Sequence, residues 1–334
     1  MSASDHPLVD TSLVQDGVPG IRLESDQLWL SVFPDAGGKV FDLVHKPTDF
    51  NLLWHNPRVG LARTYAGAAF DDVWCGGWDE LFPTDPPCSL DGNAHHDHGD
   101  LWIGPWEWSV EQDDGEAATL YLRRFAISLP CLMEKWISLR RDSAAVTFRH
   151  RLTNLGTRPV RFVWNLHVAH AIEPGSRVHL PAGRVGVEPP DYGRARAGVG
   201  ELSWPMDDSV SGDLSVLPGP EAGLTEWLFA HDLRKGWCAV THPSVGLGLE
   251  LAFDREVFST VWLWGVYGGW RGHYFLLTEP STSPPGSLAE NVARGRAATL
   301  DPGGVLETQV VATVLIDADP RADGDRRRAV VAAR

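Results

Sequence analysis

Three stretches of the chain gather titratable side chains beside glycine, proline or tryptophan. The first is Gly76-Gly77-Trp78-Asp79-Glu80-Leu81-Phe82-Pro83-Thr84, followed by His95-His96-Asp97-His98-Gly99-Asp100-Leu101-Trp102. The second is Trp164-Asn165-Leu166-His167-Val168-Ala169-His170, and the third is Tyr274-Phe275-Leu276-Leu277-Thr278-Glu279-Pro280-Ser281-Thr282. Imidazoles and carboxyls suit reversible proton transfer near neutral pH. Histidine titrates there without help, and a partly buried glutamate can be tuned upward. His95, His96 and His98, with His167 and His170, could also ligate a metal. His-x-His is equally common by accident in a histidine-rich loop, so no metal and no cofactor is assigned.

Tryptophan is the second chemical signal. The chain holds 15 Trp against five Tyr and three Met. An indole is costly to bury completely, because its N–H needs a partner. Such an excess points to a half-wet cleft in which rings stack on the C–H faces of a sugar and polar groups meet its hydroxyls. Local clusters are Trp74 with Trp78, then Trp102, Trp106 and Trp108, then Trp262, Trp264 and Trp270.

The elements that must hold these groups read as strands. Leu28, Leu30 and Val32 alternate with Trp29, Ser31 and Phe33. Val146, Phe148, His150 and Leu152 share one face, opposed by Thr147, Arg149 and Arg151, and another alternation begins at Ala118. On the strand carrying His167, His170 is expected to face the other way. Turn signals separate the runs, as at Asp35-Ala36-Gly37-Gly38, Asp113-Asp114-Gly115 and Asn154-Leu155-Gly156. Helical periodicity is scarce, with one short helix expected over Ser287 to Arg294. The expected fold class is all-β, a large antiparallel sandwich with few short helices. A single domain is expected over residues 1–320, with a C-terminal tail over 321–334.

Charge and cysteine usage narrow the partners. The formal net charge is −15. Such a surface repels phosphate backbones, so nucleic acid is not an expected partner. The four cysteines, Cys75, Cys88, Cys131 and Cys238, form no CxxC and read as reduced thiols. The first residues, Met1 to Pro7, carry no apolar h-region, and no run is long enough for a membrane span. A cytoplasmic monomer or homodimer acting on a small carbohydrate is the expectation.

Taken in order, the segments resemble the aldose 1-epimerase (galactose mutarotase-like) superfamily. The resemblance is carried by Pro34-Asp35-Ala36-Gly37-Gly38, by Gly77 to Pro83, by His98-Gly99, by Trp164 to His167 and by Glu279-Pro280, over residues 20 to 315. It implies a β-supersandwich with a sugar site and no metal or cofactor. It also implies acid/base ring opening, in which the anomeric O1 hydroxyl loses a proton, the ring O5 gains one, and the aldehyde recloses on its other face. By position, Glu279 would be the base, His167 the acid, and His98 a residue that binds or polarises the sugar. Arg63, Trp78, Asp79, Glu80, Trp102 and Trp264 are the further substrate-binding candidates. The family's substrate-binding aspartate has no clear counterpart among Asp207, Asp208 and Asp232. Three alternatives stay open: a carbohydrate-binding protein without catalysis, a metal-dependent sugar isomerase, and a hexose-phosphate 1-epimerase using Arg58, Arg63 or Arg271.

Overall fold

The structure is a computed structural model that describes residues 7–188, 193–195 and 200–316. The expected tail, 321–334, lies outside the described residues.

Two antiparallel sheets dominate, as the alternation predicts. The larger has twelve strands. Its centre runs Leu28–Phe33, Lys39–His45, Trp78–Leu81, Asn165–His170, Tyr274–Ser281, Thr260–Tyr267 and Leu224–Ala230 in spatial order. The second has eight strands, with Ala117–Phe125, Cys131–Arg140, Ala145–Asn154, Val305–Ile316 and Leu247–Phe253 adjacent at its centre. Among the described residues only two α-helices occur, α1 (Phe70–Val73) and α2 (Leu288–Ala293).

One face of each sheet closes on the other. Leu166, Val168, Val261 and Leu263 from the larger sheet pack in one core with Leu120, Leu122, Val146, Phe148 and Leu152 from the smaller. On the Ala145–Asn154 strand the inward residues Val146, Phe148, His150 and Leu152 are all buried, while Arg149 is exposed. Burying this alternating set drives the sheets together, and a one-residue slip would turn it to water.

The short helix expected near residue 287 is α2. Ser287 caps it, its hydroxyl receiving the Glu290 N–H while the Glu290 carboxylate receives the Ser287 N–H. This reciprocal capping box satisfies two donors that a helix start otherwise leaves free. All four cysteines are free thiols. Among the described residues no helix is long and apolar enough to cross a membrane, which leaves β-barrel spans unaddressed.

The outer face of the larger sheet is therefore free to carry chemistry. Odd-numbered residues of Asn165–His170 point to it and even-numbered ones into the core. His170 accordingly faces inward, where its Nε2 meets Thr278 Oγ1 at 2.8 Å.

Candidate active site

Strand register assembles a row of side chains on that outer face. Asp79 pairs with His167, and Glu279 pairs with Trp262. The pairs Asn165–Ser281 and Val168–Thr278 set His167 opposite Glu279. Opposed residues of antiparallel strands project from the same face with Cβ atoms about 4.5–5.5 Å apart. Asp79, His167, Glu279 and Trp262 thus cross four neighbouring strands in line. The next row holds Leu81, Asn165, Ser281 and Thr260.

His98 reaches this row from a loop. Its backbone has φ +58°, a left-handed conformation that few non-glycine residues adopt. Its N–H donates to the Asp85 carbonyl at 2.7 Å. Gly99 follows at φ +75°, where a Cβ would lie 2.1 Å from the Phe82 carbonyl oxygen, so only glycine lets the loop press against the strand end. The result sets the His98 and His167 rings edge to face, centroids 5.8 Å apart.

Carboxylates clamp the His98 ring. Nδ1 lies 2.8 Å from Asp97 Oδ1, and Nε2 lies 3.4 Å from Asp85 Oδ1. Burial alone would lower the proton affinity of His98, but the Asp85 charge and the bond and charge of Asp97 raise it above the ordinary histidine value. His167 behaves oppositely. Burial pushes its pKa well down, and the nearby His98 and Lys39 charges push the same way. Its Nδ1 is buried with no hydrogen-bond partner. Glu279, only 4% exposed, is pushed well above the usual carboxyl range by burial and by the Asp85 charge, against an opposing interaction with Asn165. Asp85 and Asp71 are also raised, chiefly by burial.

Asn165 is held ready beside Glu279. Ser281 Oγ donates to its Oδ1 at 2.5 Å, while its buried Nδ2 makes no hydrogen bond of ordinary geometry. That amide still bears on the Glu279 carboxyl, whose ionised form it favours, and it keeps capacity for a further acceptor.

Several of the sequence candidates fall elsewhere. Trp78 is corrected: it points into the core between the sheets, 4.4 Å from the Phe148 ring. Glu80, its neighbour but one, is corrected likewise. It sits in a buried network with His150 at 3.0 Å, Lys135 at 3.0 Å and the Trp164 indole at 3.3 Å. Burial would raise its pKa, but the His150 and Lys135 charges hold it far below the carboxyl range. Arg63 is corrected too, being exposed and ion-paired with Asp35 at 2.7 Å. Asp79 is on the right face, but its carboxylate is taken by Lys39 and by the Trp74 indole N–H at 3.1 Å. Trp102 is buried behind Phe70, centroids 4.9 Å apart, and its indole donates to the Asp97 carbonyl at 3.0 Å. Trp264 is half-buried on the outer face, beside Leu277 in the row next to Glu279.

Sequence reasoning passed over Asp85, Asp97, Asn165 and Phe70 as site residues, and held Trp74 only as one of a tryptophan cluster. Asp97 adjoins His98, and Asp85 follows the Phe-Pro-Thr run directly, so proximity to the motifs was the available signal. Phe70 opens α1 and Trp74 directly follows its last residue, and a single turn is too short to show periodicity. They pack on His167 with ring centroids at 5.4 and 5.2 Å. Among the described residues, no three His, Cys, Asp or Glu side chains form a metal-ligating group.

Comparison with known proteins places this architecture. Solved structures share the fold at low identity. A candidate aldose 1-epimerase from Klebsiella pneumoniae superposes with TM-score 0.71 at 14% identity, covering 97% of this chain and 86% of that one. The Slr1438 protein from Synechocystis sp. PCC 6803 gives 0.67 at 19%, covering 92% and 99%. A galactose mutarotase-like protein from Lactobacillus casei gives 0.59 at 14%, covering 88% and 99%. The fold is therefore galactose mutarotase-like, as the sequence resemblance implies. A search of curated proteins by sequence gives no match. The sequence profile of a domain of unknown function, DUF4432, matches residues 15–314, and the chain belongs to that family.

Proposed function

We propose that the protein is an aldose 1-epimerase-like enzyme that interconverts the α and β anomers of an uncharged aldose by acid/base ring opening. The observation that carries this reading is the facing pair of His167 and Glu279, with the His98 ring 5.8 Å from His167. Ring opening needs a base at O1 and an acid at O5. Both must work in either direction, so both need proton affinities near neutrality. Glu279 is raised toward that range and suits the base. Its two aspartates raise the proton affinity of His98, which suits the acid, through Nε2, because Nδ1 holds the closer bond, to Asp97 at 2.8 Å, and Nε2 lies 3.4 Å from Asp85. This moves the acid from His167, where the resemblance put it. The neutral His167 then offers its free Nδ1 to a sugar oxygen.

In the forward step Glu279 takes the O1 proton while His98 gives a proton to O5, and the C1–O5 bond breaks. Rotation about C1–C2 turns the aldehyde, and the reverse transfers close the ring. No redox change occurs, and on closing Glu279 returns the proton it took while His98 recovers the one it gave, so both groups end in their starting protonation states. Asp71, Asp85 and Glu279 near the row disfavour a phosphorylated sugar. Arg58 and Arg271 do not offset them, since Arg58 bonds the Arg271 carbonyl and His273, and Arg271 binds Asp72 at 2.9 Å. Saturation-transfer NMR on a panel of free aldoses tests the reading. Faster anomer exchange for at least one sugar is expected, and no acceleration for any sugar rejects it.

A further inference from the structure

Phe70 covers the two imidazoles. Its ring stacks on His98 with centroids 3.8 Å apart and planes 7° apart, and it meets His167 edge-on. A sugar cannot lie against these faces while Phe70 occupies them. α1 is therefore a cover over the imidazole pair, and its bearing on substrate entry rests on the anomerase reading above.

Polar ties hold α1 at both ends. Arg271 binds the Asp71 carbonyl at 2.6 Å and the Asp72 carboxylate. Upstream, Thr64 Oγ1 donates to the Trp102 carbonyl at 2.8 Å. Between these, Gly67 has φ +87° with open space around it, a position able to take up a backbone change. At the start of α1 the tether is Asp97, whose Oδ2 accepts the Phe70 N–H at 3.3 Å, while just past its end the Trp74 carbonyl accepts from Asn56 Nδ2 at 2.9 Å and the Trp74 indole donates to Asp79 at 3.1 Å. The Asp97 carboxylate also holds His98 Nδ1 through Oδ1 at 2.8 Å.

We propose that Asp97 is the positioning residue of this site: its two oxygens bind the start of the cover and the His98 ring together, so that seating Phe70 and orienting the proton-carrying imidazole are one event. A carboxylate is the side chain suited to this, with acceptors on both sides and a charge for the imidazolium. Replacing it with an amide leaves one acceptor for two donors. The charged groups around His98 are Asp85, Asp97 and Asp71, with His167 on the far side. Asp71 belongs to α1, so the cover itself brings a charge to His98. Asp97 is held below the usual aspartate range. Burial would raise it, but the bond and charge of His98 and the Phe70 N–H outweigh that.

The test uses the full chain without any sugar. Histidine side-chain NMR titration reads His98, and amide hydrogen exchange reads residues 70–74. In Asp97→Asn and Asp97→Ala, His98 is expected to lose its proton at least about 1 pH unit lower than in the parent. Exchange at 70–74 is expected to be at least about tenfold faster in Asp97→Ala, while the Ala145–Asn154 strand keeps its protection and reports an intact fold. An unchanged His98 titration in either variant overturns the proposal. So does an unchanged exchange rate at 70–74, because the two oxygens would then act separately. If Asp97→Ala does not fold, Asp97→Asn decides by both readouts, since its single acceptor must release one donor. Neither readout depends on turnover. Should no aldose equilibrate faster while both responses appear, the anomerase reading fails and the coupling stands.

Discussion

His167 faces Glu279 across two adjacent antiparallel strands, in a register fixed by the Asn165–Ser281 and Val168–Thr278 pairs on either side. The relationship is a product of the ladder, so both side chains are placed by the most rigid part of the fold. His98, by contrast, is brought in by a loop and held by carboxylates. Two of the three groups are thus set by sheet geometry and the third by electrostatics.

Glu279→Gln and His98→Asn are each expected to lower kcat by about 10²–10⁴-fold, the usual contribution of a positioned acid or base. His167→Asn removes a hydrogen bond to the sugar rather than a proton carrier, and is expected to cost less, about 10-fold in kcat/KM. Steady-state polarimetry on whichever aldose responds separates the cases. A larger loss at His167 than at His98 would return the acid role to His167.

Stability should peak near neutral pH. His98 and Glu279 hold protons above their unfolded values of about 6.5 and 4.3. The native state binds the extra protons, so their contribution is full below the unfolded values and is lost as pH rises through the folded ones. Burial acts the other way on His167 and His170, pushing His170 to about 3 with help from His242. Below about pH 6.5 the unfolded chain takes up those protons first, and stability falls with pH. Thermal unfolding from pH 4 to 9 should trace a dome, and a continuous rise toward pH 9 would contradict the assigned shifts.

Much of this was legible in the sequence, for definite reasons. Period-2 alternation at Val146, Phe148, His150 and Leu152 revealed the core face of a strand, and the same parity separated His167 from His170. Parity also applied to Trp78, Asp79 and Glu80, since neighbours on a strand cannot all face one site. Asp79 shares the His167 face, so Trp78 and Glu80 had to point inward. What the sequence could not show was which of the two faces is the outer one. That depends on the pairing of the Trp78–Leu81 strand with Asn165–His170, a contact between segments far apart in the chain. The excess of tryptophan was a weaker guide. Trp164 and Trp262 are fully buried, with indole N–H groups donating to Glu80 and to the Ser283 carbonyl.

The misplaced candidates yield a prediction of their own. Trp78→Ala empties a core position against Phe148 and is expected to destabilise the fold by about 3–5 kcal/mol. Arg63→Ala breaks one exposed ion pair, worth about 0–1 kcal/mol, and is expected to leave KM for the sugar unchanged. Chemical denaturation and steady-state kinetics on the two variants check this. A raised KM in Arg63→Ala would put that arginine back among the substrate contacts.

Asn165 offers the most specific test of the assigned base. Its amide favours the ionised form of Glu279, opposing the burial that raises the carboxyl pKa. Asn165→Ala removes that opposition, so Glu279 should hold its proton to higher pH. A base works only when deprotonated, and the rising limb of activity with pH should therefore move to higher pH, by about 1 unit for the loss of one favourable hydrogen-bonding interaction. Ser281→Ala, which frees the amide that Ser281 Oγ holds through Oδ1, should move the limb in the same direction by less. Profiles of kcat/KM against pH for the two variants and the parent read the shift directly. A limb that stays in place in Asn165→Ala, or moves to lower pH, would mean that the group titrating in the rate is not Glu279.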